Sequence, residues 1–170
     1  MSTFQQRIIR AARLDISLYE EVEADTSATG QAMGVVILSS IAMGIGSIWH
    51  LGITGIFSGT ITALIGWIVW ATLTYFIGVK FIPEPQTQSN IGELLRTIGF
   101  ASSPGLIRII GLIPGLASIS SFIASIWMLI AMVIAVKQAL DYKSILRAVV
   151  VCAVGWIVLS ILNMVLFYIL

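Results

Sequence analysis

The sequence predicts an all-α integral membrane protein, a bundle of five transmembrane helices with a short N-terminal amphipathic helix. Three observations carry that prediction. Hydrophobic residues make up 58% of the 170 and charged residues only 10%, against roughly 25% charged in an ordinary globular domain. A soluble fold of this size lacks the polar surface to cover itself, and the mean hydropathy of +1.04 agrees. No charged residue occurs from Thr26 to Val79, far more than the ~20 residues one helix needs to cross the hydrocarbon core. Finally, the lysines and arginines fall almost entirely on one side of a five-span arrangement.

The chain divides into a cytosolic head, residues 1–25, and a membrane domain, residues 26–170. The head is polar, with Arg7, Arg10 and Arg13 first and Asp15, Glu20, Glu21, Glu23 and Asp25 after them. No short apolar core follows the arginines, so a cleavable secretory signal is not expected. At helical spacing Phe4, Ile8, Ala11, Ala12, Leu18, Tyr19 and Val22 share one side, and Gln6, Arg10, Arg13, Ser17, Glu20 and Glu21 the other. Asp15 interrupts the apolar side and marks a break or turn. Such a head lies either on an anionic inner leaflet or against the cytoplasmic end of the bundle.

Five spans are expected, at 32–49, 56–82, 98–114, 118–136 and 148–170. The polar, glycine-bearing stretch from His50 to Gly55 separates the first two. Pro83 and Pro85 end the second, because proline lacks an amide donor and restricts its predecessor. Asn90 and Glu93 have the spacing of a capping box, so a helix begins near Ile91. Ser102, Ser103 and Pro104 interrupt it, and Gly111 to Gly115 end it. Lys137, Asp141, Lys143 and Arg147 form the last connection. With the amino terminus inside, the head arginines, Lys80, Arg96, Lys137, Lys143 and Arg147 are cytoplasmic, while Leu170 lies outside. The expected location is therefore the cell membrane, multi-pass.

Lipid removes the hydrophobic drive between helices, so small residues must permit close packing. Gly30 and Gly34, Ser40 and Gly44, Gly55 and Gly59, Ser121 and Ser125, and Ala131 and Ala135 each place a small patch on one face. Trp49 has the place of an interfacial tryptophan; Trp67, Trp70, Trp127 and Trp156 are expected in the core.

Nothing in the sequence assembles a catalytic set. Spans one, two, four and five hold no acidic residue, and His50 and Cys152 are single, so no acid–base pair, disulfide or clustered metal site is expected. No cofactor motif is present. The net charge of +1 gives no basic field for nucleic acid. Expected partners are membrane lipid, a second copy of the chain or another membrane protein.

Two polar residues stand out inside the expected spans, Arg108 and Asn163. Arg108 lies about ten residues into the third span, roughly 15 Å deep, where an arginine costs about 2.5–3.5 kcal/mol on insertion scales. Three solutions are open. Its side chain snorkels outward; it donates to carbonyls freed at Pro104, or to Ser102, Ser103 or Asn163; or it faces a polar cavity and holds an anionic group such as a lipid phosphate.

Three stretches carry a resemblance to a known family: Leu14 to Val36, Leu95 to Leu116 with Gly99, Phe100 and Pro104 as a glycine–aromatic–proline pattern at the helix break, and Ile126 to Val151. The chain resembles the prokaryotic branch of the Ypt-interacting-protein (Yip) domain family. That resemblance implies five spans and a cytosolic amino terminus. Eukaryotic relatives act in vesicle traffic and bind Rab-type GTPases. This chain lacks the acidic-leucine-tyrosine-glycine-proline stretch those proteins carry before span one, so Rab binding is not expected.

The first functional expectation is a non-enzymatic membrane protein that organises lipid or partner proteins. The alternative is a small transporter, channel or lipid-moving protein using a polar site near the broken third helix. A dry interior favours the first; a cavity reaching Arg108 favours the second.

Overall fold

The computed structural model describes residues 2–169, and within them the side chains of all but residues 50, 51, 162, 163 and 165–169. Among the described residues there are helices and turns and no strand. The head is two helices. The first, α1 (Phe4–Ala12), starts at Thr3, whose hydroxyl accepts from Gln6 N–H while the Gln6 side chain accepts from Thr3 N–H. It ends as Leu14 N–H bonds Ala11 O and Asp15 N–H bonds Arg10 O, with Leu14 in the left-handed region at φ 61°; this is a Schellman turn. Asp15 then caps α2 (Ile16–Ala24) by accepting from Ser17 N–H. The expected break at Asp15 is thus a helix–turn–helix.

The rest of the chain follows as α3 (Thr29–Gly46), α4 (Ile48–Tyr75), α5 (Ile91–Phe100), α6 (Ala117–Ala139) and α7 (Ile145–Ile169). Gly52, at φ 63°, kinks α4, inside the stretch where the sequence separates the first two spans. After Tyr75 the helix widens into a π-helical stretch, Phe76–Phe81, before Pro83. The buried Tyr142 hydroxyl lies 2.9 Å from Gly78 O and 2.6 Å from Ile82 O, and donates to one of these carbonyls at a time. The Asn90–Glu93 capping box opens α5 as expected.

Three helices are long and apolar enough to cross a membrane, Thr26–Gly46, Gly52–Phe81 and Ala117–Ala139; Ile145–Ile161 is a shorter apolar helix. Their outer faces carry large apolar side chains in the open, among them Phe57, Ile61 and Ile65 on α4 and Phe122, Ile126 and Leu129 on α6. Such an exterior suits lipid rather than water.

The expected third span is not one α-helix. After α5 a 3-10 helix covers Ser103–Leu112, much longer than the three or four residues usual for that form. Together α5 and this 3-10 arm run parallel to α3. A Cβ at Gly99 would come within 2.7 Å of Ala32 Cβ, and one at Gly105 would strike Ser39 Oγ. One at Gly46 would fall on the carbonyl oxygen of Arg108. Approach this close, to backbone at Gly99 and Gly46 and to the Ser39 side chain at Gly105, needs glycine on at least one side. α6 packs against the arm, and α7 against α6 and α4. Trp156, expected in the core, faces outward at 67% exposure, whereas Trp67 and Trp70 are buried.

The head packs on the bundle through α5 and α6. Leu18, Tyr19 and Val22 are fully buried, and Trp127 Nε1 donates to Ala12 O at 2.8 Å. Arg7, only 3% exposed, donates to Asp25 at 2.8 Å, to Glu21 at 3.0 Å and to Gln31 at 3.0 Å. Arg10 pairs with Asp15 and Glu21. Of the two placements the sequence leaves open, the structure takes the one on the bundle, and two of the three arginines expected to face anionic lipid are instead paired within the head.

Candidate functional site: a cavity beside Arg108

Pro104 has no amide hydrogen to continue an α-helix. The chain answers with a turn at Ala101–Ser102 and then the 3-10 arm. Ser103 Oγ, buried, donates to Phe100 O at 2.7 Å and satisfies a carbonyl at the break. Phe100 is fully buried and Gly99 sits on Ala32. Pro104 is buried as well. The glycine–aromatic–proline stretch is thus the packed joint that aims the arm.

That arm places Arg108 on the wall of a cavity of about 300 Å³ between α3, α4, α6, α7 and the arm. Its polar lining is Arg108, Ser102, Ser39 and Ser40. The rest is apolar and soft, with Met43, Met128 and Met132 among the lining residues and the rings of Trp67 and Trp70 on the α4 side. Met43 and Gly66 line it and are also exposed, so the cavity reaches the outer surface of the bundle.

The hydrogen bonds leave the site short of acceptors. Arg108 Nη2 donates to Ser125 Oγ at 3.1 Å; among the described residues it has no ion pair and no other side-chain hydrogen bond. A guanidinium carries five N–H donors. Ser40 Oγ donates to Ile37 O at 2.8 Å, but the Ser39 and Ser102 hydroxyls make no hydrogen bond among the described residues. Trp67 Nε1 donates to Leu95 O at 2.9 Å, while Trp70 Nε1 is buried without a partner among the described residues.

Of the residues the sequence singles out, Arg108 and Ser102 come together at the cavity. Ser103 serves the helix break and does not meet Arg108. Asn163 lies outside the described side chains. Arg108's partner is Ser125, which sequence reasoning marks only as a small residue. Ser40 is likewise marked only as a small residue and Ser39 is missed, although two adjacent hydroxyls inside an apolar span are a usable signal.

A second polar cluster lies where the head meets the α6–α7 turn and the 83–90 loop. Gln138 donates to Glu20 at 2.9 Å, Gln86 to Asp141 O at 3.0 Å and Lys143 N–H to Glu84 at 3.0 Å. Burial, then the charges of Asp141 and Glu93, push the Glu23 carboxyl up to about 7, with Arg96 opposing and Glu20 adding to the rise. Hydrogen bonds from Ser2, Arg10 and Arg7 hold Glu21 down near about 2 despite its partial burial. Among the described residues no group of histidine, cysteine and acidic side chains is arranged to hold a metal.

The sequence matches no protein-family model, and neither a curated protein nor a solved structure matches the chain.

Proposed function

We propose that this is a five-span integral membrane protein, amino terminus inside and carboxyl terminus outside, that holds or moves membrane lipid through the cavity beside Arg108, without covalent chemistry. The observation that carries this reading is the cavity itself. It combines an apolar lining, an opening on the bundle's outer surface and an arginine with unused donors. Ligand sites in helical membrane proteins favour interrupted helices at membrane depth, and the arm is one. The gathering of the head, the 83–90 loop and the 137–147 turn at one end of the bundle supports the orientation, as do the positive charges there and the likeness to the Yip domain family. The reading as a partner-organising protein rests on the amphipathic head, the short loops and that likeness.

Two measurements test the proposal. Reporter fusions at residues 53, 90, 116, 142 and 170 should give outside at 53, 116 and 170; a cytoplasmic signal at 170 rejects five spans. Protein extracted in non-ionic detergent should retain lipid that a cavity-filling Gly66→Leu variant loses. Equal retention by both rejects the cavity as the lipid site.

A further inference from the structure

Resting on that reading, we infer that the occupant of the cavity is a single-chain anionic amphiphile. Its oxyanion meets the Arg108 guanidinium, and its hydrocarbon chain lies along the methionine and tryptophan lining.

The charge follows from Arg108. A guanidinium stays protonated, and at membrane depth it is costly unless something offsets it. The cavity lining includes no carboxylate, and a single bond to a neutral hydroxyl, Ser125 Oγ, engages one donor. The remaining donors form a planar fork that matches a carboxylate or a phosphate. The hydroxyls of Ser39 and Ser102, both on the cavity lining and both without a hydrogen bond among the described residues, add donors of the same kind.

The single chain follows from size and lining. About 300 Å³ is the low end for ligand cavities. At roughly 30 Å³ for a group the size of a water molecule, it has room for about ten such groups, which is one chain and not two. Methionine adapts its shape to irregular contacts, so the cavity tolerates chains of differing form. The opening at Met43 and Gly66 gives a route for a chain to enter from lipid.

A carboxylate and a phosphate monoester share this chemistry, and the test separates them. The purified full chain in non-ionic detergent is titrated with a brominated fatty acid, with its methyl ester, and with a phosphate monoester bearing the same chain. Inorganic phosphate is the competitor. The readout is bromine quenching of Trp67 and Trp70, in a background where the other three tryptophans, Trp49, Trp127 and Trp156, are replaced by phenylalanine. The acid, the phosphate ester or both should bind saturably, and the methyl ester about tenfold more weakly, equivalent to about 1.4 kcal/mol. Binding of only one anionic probe identifies the headgroup. Arg108→Gln should bring the anionic probe to the level of the ester, and Arg108→Lys should recover part of the difference.

Equal binding of acid, phosphate ester and methyl ester to the wild type overturns the inference, whatever the variants do, and leaves the lipid-holding reading standing. Displacement by inorganic phosphate overturns the amphiphile in favour of a free anion. No saturable quenching by any probe, together with lipid retention unaffected by Gly66→Leu, overturns both. At Gly66 an added Cβ meets nothing within 4 Å, so this variant fills space without a clash at its first atom.

Discussion

The Arg96 guanidinium donates through Nε to the carbonyl of Val22 at 2.8 Å and through Nη2 to that of Glu23. Arg96 is 5% exposed, and the two carbonyls belong to the last turn of α2, where intrahelical partners run out. One side chain of α5 thus clamps the C-terminus of a head helix, and its charge suits the negative end of the helix dipole. Here the charge fastens the head.

Arg96→Ala should therefore cost about 2–3 kcal/mol, because it removes charge-assisted bonds and leaves buried acceptors unpaired. Hydrogen exchange should rise first in α2, with α4 and α6 little changed. Uniform loss of protection through the whole bundle would contradict a local clamp.

Arg7 and Arg13 sit on one short stretch and should behave oppositely. Arg7 is buried against Glu21, Asp25 and Gln31, so Arg7→Gln should destabilise by about 2 kcal/mol, between the values for exposed and buried pairs. Arg13 is exposed, and Arg13→Gln should change stability by less than about 0.5 kcal/mol. Thermal unfolding of the two variants in detergent checks this. Equal shifts would contradict the ion-pair hub.

The elements of the head were legible in the sequence, and its seat was not. The apolar spacing of Leu18, Tyr19 and Val22 and the capping chemistry of Asp15 act locally, within a turn or two. The choice between lipid and bundle depends on Arg96 and Trp127, residues about seventy and a hundred positions away, and no local pattern pairs them with α2 or α1. The same limit applied at the cavity. Arg108 stood out because a charge at that depth is costly, and the break at Pro104 because proline lacks an amide. Ser39, Met128 and Trp70 read as ordinary span residues until the glycines at 99, 105 and 46 bring the arm against α3. Trp156 was misplaced because an all-apolar helix has no polar stripe to show which side faces inward.

The head should also respond to pH. Burial and the neighbouring Asp141 and Glu93 charges raise the Glu23 carboxyl from 4.5 to about 7, against the pull of Arg96 and with a further push from Glu20. A carboxyl whose folded pKa lies above its unfolded value favours folding most when both states are protonated. Its contribution falls as pH rises from about 4.5 to about 7 and is flat above that. Glu21, Asp15, Asp25 and Glu84 shift downward, so they stabilise above their unfolded pKa and lose that effect as pH falls. Head docking should therefore be tightest between these ranges, near pH 5. Glu23→Gln should remove the decline between 4.5 and 7, and Asp141→Asn should shift it to lower pH. Hydrogen exchange in α2 across pH, corrected for intrinsic rates, reads both; a decline unchanged in Glu23→Gln would assign it elsewhere.

Glycines in the bundle should divide by what a methyl group meets. At Gly46 it would fall on Arg108 O, and at Gly105 on Ser39 Oγ with Met128 Sδ at 2.9 Å. Gly46→Ala requires the arm to move, and overpacking of this kind costs about 1–3 kcal/mol or more. Gly66→Ala meets open space and gains helix propensity, so it should be neutral or stabilise by up to about 1 kcal/mol. Melting of the three variants should rank Gly66→Ala above wild type or level with it, and Gly46→Ala and Gly105→Ala below. A tolerant Gly46 would mean that the arm and α3 are not in backbone contact.

Arg108→Leu separates a structural arginine from one kept for a ligand. A buried arginine that ties carbonyls together, as Arg96 does, leaves unpaired acceptors when removed. Arg108 leaves only Ser125, whose hydroxyl already donates to Ser121 O at 2.8 Å and is exposed, so little is orphaned. The loss of one hydrogen bond from a charged donor is worth about 1.5–3 kcal/mol. Against it, if the proposed third span holds, stands relief from holding a cation at membrane depth, about 2.5–3.5 kcal/mol on insertion scales. The balance predicts that Arg108→Leu is as stable in detergent as the wild type, or more so, while its capacity for anionic amphiphiles is lost. Lipid-free protein is the right reference, since bound ligand would add stability to the wild type alone. A clear fall in melting temperature for lipid-free Arg108→Leu would show that the arginine holds the arm to α6, and that its place on the cavity wall is a consequence of packing.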